Sequence, residues 1–228
     1  LPKVRSDMNQ ITIWKLSPLG ETLATYLSPQ TSPALVSAIS VNSSGVSLVG
    51  VMADRPFLVS ASPAGVFTKP LFIGTNKTAL NAVVRSPDGS INLFGESSET
   101  LGGKKLAGTR DGILVKVNKA GAIVNVVRSS ATKAQRSWLA ADSTLTLTGY
   151  VKSGKVIESA FTKFNSSFAP TWTTRIPSTG TSTVLTAAGT TYGAFSSNSA
   201  IKGVTGWKPT TPTLLLATFT SKGVMTGA

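Results

Sequence analysis

The chain has 228 residues, 22 of them basic and 9 acidic, with no histidine, no cysteine and a formal net charge of +13. That length supports a sizeable core, and a 14% charged, Ser/Thr/Gly-rich composition suits strands and turns better than long solvent-facing helices. Without histidine or cysteine there is no thiolate nucleophile, no Ser-His-Asp triad and no ordinary zinc site, so neither a cofactor nor a metal is expected.

In chain order, the first element is a strand that runs into a turn, Ile13-Trp-Lys-Leu-Ser17-Pro-Leu-Gly20. A strand pair follows, Ala38-Ile-Ser-Val and Val46-Ser-Leu-Val-Gly50, joined by Asn42-Ser-Ser-Gly45. The first pattern returns at Leu58-Val-Ser-Ala-Ser62-Pro-Ala-Gly65, and the pair returns at Ala82-Val-Val-Arg, Ser86-Pro-Asp-Gly89 and Ser90-Ile-Asn-Leu-Phe-Gly95. A long connection spans 97–111. The clearest copy of the hairpin comes next, Ile113-Leu-Val-Lys-Val-Asn118-Lys-Ala-Gly121 leading into Ala122-Ile-Val-Asn-Val-Val-Arg128. Further on lie Leu139-Ala-Ala, Asp142-Ser-Thr and Leu145-Thr-Leu-Thr-Gly149, then a weaker hairpin, Phe161-Thr-Lys-Phe-Asn165-Ser-Ser-Phe168, with Phe where glycine belongs. Val184-Leu-Thr-Ala, Ala188-Gly189 and Thr190-Thr-Tyr-Gly193 make the fourth pair. A second long connection covers 196–212, before Leu216-Ala-Thr-Phe-Thr220-Ser-Lys-Gly223. The Ser/Asn/Thr-x-x-Gly turn has a mechanism: the polar side chain caps the turn backbone and glycine takes the positive φ that closes the hairpin.

Units of about 45 to 55 residues with four strands each are the signature of propeller blades. The sequence is therefore read as all-β and β-propeller-like, with four-stranded blades: about four complete blades at 11–54, 55–111, 112–154 and 155–211, and a partial fifth at 212–228. Short and long units alternate, as a duplicated two-blade unit would give. The start at Leu1-Pro2 and the half-unit at the end suggest a processed chain or a fragment of a larger propeller. No apolar run approaches the ~18 residues of a membrane span.

The run Gly95-Glu-Ser-Ser through Gly108-Thr-Arg-Asp111-Gly-Ile-Leu-Val-Lys116-Val-Asn118-Lys-Ala-Gly121 resembles the bacterial β-propeller repeats of SBBP type. The likeness is good at this junction, partial in the first two units and poor in the fourth, where Phe168 and Pro212 break the pattern. It implies an exported or surface-attached bacterial scaffold and no particular activity.

Sorting loops by blade face places Arg5, Arg55, Lys77, Lys104, Lys105, Arg110, Arg128, Lys133, Arg136, Arg175, Lys202 and Lys208 on one face, against Asp7, Asp54, Glu96, Glu99 and Asp111. The opposite face has Lys119 and Lys222 against Glu21, Asp88 and Asp142. A one-sided basic face attracts polyanions, so an anionic polymer, an acidic polysaccharide or a protein partner is expected there. Nucleic acid is disfavoured, because aromatics do not interleave the basic residues.

The candidate binding residues are Trp207 and Lys208 in the second long loop, Lys104, Lys105, Arg110 and Asp111 in the first, and Asp54 and Arg55. The Asp54/Arg55 and Arg110/Asp111 neighbours precede strands expected to line the central channel, so they are placed at its mouth, as ligand groups or as salt bridges. Trp207 is expected as an exposed stacking surface, whereas Trp14 and Trp172 are expected in packing. The reading is a non-catalytic binding scaffold of an exported or surface protein. Two alternatives stand beside it: a purely structural segment, and a carbohydrate-active enzyme, which would require a carboxylate pair in a cleft.

Overall fold

A computed structural model describes residues 5–207 and 209–227. Every regular element is a β-strand. An N-terminal hairpin pairs β1 (Thr12–Leu16) with β2 (Thr22–Leu27). Four antiparallel four-stranded sheets follow, arranged as a four-blade β-propeller. Blade one is β3 (Ala34–Asn42), β4 (Gly45–Met52), β5 (Arg55–Ala61) and β6 (Leu71–Phe72). Blade two is β7 (Thr78–Arg85), β8 (Ile91–Ser97), β9 (Asp111–Val117) and β10 (Ile123–Ser129). Blade three is β11 (Gln135–Ala141), β12 (Thr146–Ser153), β13 (Val156–Phe164) and β14 (Pro170–Pro177). Blade four is β15 (Ser182–Ala187), β16 (Thr190–Ser197), β17 (Thr213–Phe219) and β18 (Met225–Gly227).

The first strands β3, β7, β11 and β15 lie beside one another from blade to blade and form the inner wall. This corrects the expected blade boundaries by two strands. Each expected unit joins the outer half of one blade to the inner half of the next, and the half-blade lies at the N-terminus, as β1 and β2, rather than at 212–228. The reason is local. The Ser-x-x-Gly signal marks the hairpin between third and fourth strands, and nothing in a single hairpin says whether it is an inner or an outer pair. The turn at the expected boundary, Ala53-Asp54, is a two-residue hairpin inside blade one, with both residues at positive φ (47° and 58°).

The hairpin chemistry itself is as the sequence states. The side-chain oxygens of Ser17, Ser62, Asn118, Asn165 and Thr220 each accept a bond from the backbone N–H four residues on. Phe168 takes the same left-handed backbone as the glycines of the other copies, at φ 64°. The strain of that conformation in a bulky residue is offset by burial of its ring edge-on to Phe94, centroids 6.2 Å apart.

Packing alternates blade by blade. One apolar cluster joins blade one to blade two through Val49, Leu58, Leu80, Leu93, Ile113 and Val115. A second joins blades two and three through Phe94, Leu114, Trp138, Leu147, Phe164 and Phe168. A third joins blades three and four through Phe161, Ile176, Phe195 and Phe219. A fourth places Ile11 against Leu48, Met52 and Phe57. Among the described residues, apolar side chains stay exposed on blade four, at Leu185, Tyr192, Leu214 and Leu216, and on the N-terminal hairpin, at Trp14, Leu16, Leu23 and Leu27. Trp14, expected in packing, is 62% exposed.

The glycines inside the second strands have a structural cause. Inner strands of blades one to three carry a bulge, and the register shifts opposite Gly50, Gly95 and Gly149. A Cβ on these glycines would sit 1.9, 1.9 and 1.8 Å from the carbonyl oxygens of Leu35, Ala79 and Ser137. The bulged residue then reaches the next blade: the Ser37 hydroxyl donates to Leu80 O at 2.7 Å, and Asn81 Nδ2 donates to Trp138 O at 3.0 Å. Gly95→Ala is expected to cost about 1–3 kcal/mol, as overpacking against backbone does. Chemical denaturation checks this, and a loss within ~0.5 kcal/mol would mean that the bulge relaxes freely.

Candidate functional site

In an antiparallel blade, successive loops alternate between the two faces. The loops joining second to third strands and those crossing to the next blade therefore share one face. A two-strand error in the boundaries leaves this unchanged, so the face sorting by sequence holds for the described residues. The structure adds Lys152, Lys155 and Glu158 to that face, all at the short β12–β13 turn or the strands it joins.

The candidate residues divide into paired and unpaired groups. Asp111 is fully buried at the start of β9. Its carboxylate accepts from Arg128 Nε at 2.7 Å and from the backbone N–H groups of Ala107 (2.9 Å) and Gly108 (2.8 Å). Burial works against the charged form, but the two backbone donors and the Arg128 guanidinium outweigh it and hold the carboxyl below its usual range. Arg128 also donates to the carbonyls of Ser97 (3.1 Å) and Glu99 (2.8 Å). Asp111 and Arg128 thus form a clasp that closes the long 98–110 loop. Asp111 is a structural anchor of that loop.

Arg110 pairs with Glu96 at 3.0 Å. Glu96 lies on blade two, and its carboxylate also faces the Tyr150 hydroxyl of blade three at 3.5 Å. Burial and the Glu96 charge push the Tyr150 phenol up. Arg55 stacks its guanidinium on the Phe72 ring, 4.6 Å to the centroid, and its donors face Gly74 O. Asp54 is an exposed turn residue. Because β5 and β9 are third strands, neither the Asp54/Arg55 nor the Arg110/Asp111 neighbours ring the channel.

Trp207 is half-buried and packs against the cluster between blades three and four, as Val204 and Leu215 do. It is not the exposed stacking platform that its loop suggested. Lys208 lies outside the described residues. Lys104 and Lys105 stand exposed at the tip of the clasped loop. Lys133, Lys152, Lys155 and Lys202 are exposed on the same face. Among the described residues none of these six lysines has an ion-pair partner, whereas Glu96, Asp111 and Glu158 are each paired to an arginine.

Other polar groups here were not legible in advance. Glu99 accepts from the Thr75 N–H (2.7 Å) and hydroxyl (2.8 Å) and from the Thr78 hydroxyl (2.6 Å), fastening the crossing loop of blade one to the long loop of blade two. Burial opposes its charge, yet these donors lower its pKa. Arg136 sits 4.2 Å over the Trp138 ring and donates to Ser129 Oγ at 2.8 Å. Burial, with Arg175 nearby, brings its pKa down to about 10, so it stays charged at neutral pH. Among the described residues no three of His, Cys, Asp and Glu gather as a metal site. No helix is long and apolar enough to cross a membrane.

No family model matches the chain, and no curated protein matches it. Among solved structures it is similar to a protein of unknown function from Bacteroides caccae, at 9% identity and TM-score 0.37, over 96% of this chain and 93% of that one. It is also similar to a mutant of the GH43 protein BlXynB from Bacillus licheniformis, at 13% identity and TM-score 0.45, over 86% of this chain and 42% of that one.

Proposed function

We propose that the protein is a non-catalytic propeller scaffold, of an exported or surface protein, that binds an anionic polymer such as an acidic polysaccharide across its basic face. One observation carries this reading. Apart from the exposed Asp54, the acids of that face are engaged internally, with Asp7, Glu96, Asp111 and Glu158 ion-paired to arginines and Glu99 bonded to Thr75 and Thr78, while six exposed lysines point charge outward. An uncompensated set of exposed charges raises the local concentration of a polyanion and speeds its encounter, with a steep dependence on salt. The same commitment of carboxylates to ion pairs supports a binding role over a carbohydrate-cleaving one, since glycoside hydrolysis needs an acid and a base left free.

Retention on immobilised heparin across a salt gradient tests this. The wild type is expected to elute well above physiological ionic strength. The Lys104→Ala/Lys105→Ala/Lys133→Ala variant is expected to elute markedly earlier with an unchanged fold, because exposed lysine substitutions cost little stability. Equal elution of the two proteins would sink the proposal and favour the structural-segment reading.

A further inference from the structure

A cleft lies on the other face, between blades one and two. It measures about 420 Å³, within the ~300–1,000 Å³ range of small-molecule sites. One wall is apolar, formed by Leu58, Pro70, Leu71, Ile91 and Val117. The cationic side is formed by Arg85, Lys69 and Lys119, and no carboxylate is among the lining residues. Asp88, in the adjoining turn, does not line the cleft, and its carboxylate accepts from the N–H (2.9 Å) and hydroxyl (2.7 Å) of Ser90.

Arg85 gives this cleft a fixed cation. It ends the inner strand of blade two, and hydroxyls and a backbone carbonyl of blade one hold it: Nε donates to Ser44 Oγ at 2.8 Å, Nη1 to Ser47 Oγ at 3.0 Å and to Ser60 Oγ at 3.5 Å, and Nη2 to Ser44 O at 3.1 Å. These neutral acceptors orient the guanidinium without neutralising it, and its five N–H groups exceed the four bonds just named. Lys69 and Lys119 are exposed at the rim and have no ion pair among the described residues. Lys119 owes its place to the Asn118–Gly121 turn, which packs beside the Gly89 turn of the same blade.

We infer that this cleft is a second, separate binding site, for a small organic anion: a phosphate, sulfate or carboxylate group set between Arg85, Lys69 and Lys119, and an apolar body against Leu58, Leu71 and Ile91. The site is independent of the polymer-binding face, because it shares none of its lysines and lies at the opposite ends of the strands.

Titration followed by amide chemical shifts tests it, with phenyl phosphate, inorganic phosphate and benzyl alcohol as probes. Phenyl phosphate is expected to bind most tightly, with shifts at residues 68–71, 85–91 and 117–121, inorganic phosphate more weakly, and benzyl alcohol not measurably. Lys69→Ala/Lys119→Ala, both at exposed positions, is expected to weaken phenyl phosphate binding about tenfold or more while leaving heparin retention unchanged. The Lys104→Ala/Lys105→Ala/Lys133→Ala variant is expected to bind phenyl phosphate as the wild type does. Shifts confined to the basic face, equal affinity in the Lys69/Lys119 variant, or equal binding of the neutral alcohol would each overturn the inference.

Discussion

Trp138→Ala is expected to lower the unfolding free energy by about 3–5 kcal/mol, the range for truncating a large aromatic in a closed core. Trp138 is the largest fully buried side chain, and it fills the space between blades two and three with Phe94, Leu114, Leu147 and Phe164. Its ring meets Phe164 edge-on, centroids 5.4 Å apart, and its other neighbour is the Arg136 guanidinium. Truncation therefore opens a cavity and also strips a buried cation of its π-face. The site has little freedom to collapse, because Trp138 stands at the bulge opposite Gly149, whose Cα already lies against the inner strand. Urea unfolding gives the comparison, with Trp14→Ala as the control. Trp14 is exposed on the N-terminal hairpin, and its loss is expected to change stability by less than ~0.5 kcal/mol. A Trp138→Ala cost below ~1 kcal/mol would mean that the blades are joined mainly through the inner-strand hydrogen bonds.

These two tryptophans show where sequence reasoning succeeds and where it stops. The repeat was legible because the turn chemistry is local: an oxygen at Ser17 or Asn118 and a positive φ three residues later are fixed by a handful of neighbouring atoms. Which hairpin lies inside the ring was not legible, because inner and outer strands present similar alternation, and only packing between blades separates them. The face sorting survived the boundary error, since loop alternation depends on strand parity alone. Individual roles did not survive as well. Asp111 and Arg110 are adjacent in sequence but pair with different partners, Arg128 and Glu96, because Asp111 opens β9 while Arg110 still belongs to the loop before it. Trp207 is half-buried against the cluster between blades three and four by a loop path that no local pattern encodes. Arg85, the fixed cation of the cleft, has a signal in hindsight: an arginine ending a strand of apolar residues in a charge-poor chain must find buried acceptors, here the serines of blade one.

Asp111→Asn is the second large effect, expected at about 3–5 kcal/mol at neutral pH. Removing one partner of a buried ion pair leaves the other uncompensated, and Arg128 has no second carboxylate among its bonded partners. The two backbone donors, Ala107 and Gly108, also lose a charged acceptor. The folded pKa of Asp111 is lowered, so its contribution is fully present above the unfolded value near 3.9 and is lost as pH falls through the folded value. Glu99 is lowered in the same sense and adds to the same acid limb. The stability difference between wild type and Asp111→Asn is therefore expected to be constant from pH 7 to about pH 5 and to narrow below about pH 4. A gap that persists undiminished to pH 2 would mean that the cost lies in packing and not in charge. The consequence for binding follows from the clasp: the 98–110 loop carries Lys104 and Lys105 and is closed by Asp111 and Arg128, so its amides are expected to exchange faster in the variant. Heparin retention should then weaken without loss of a single lysine, because a loosened loop must be ordered again when the polymer binds.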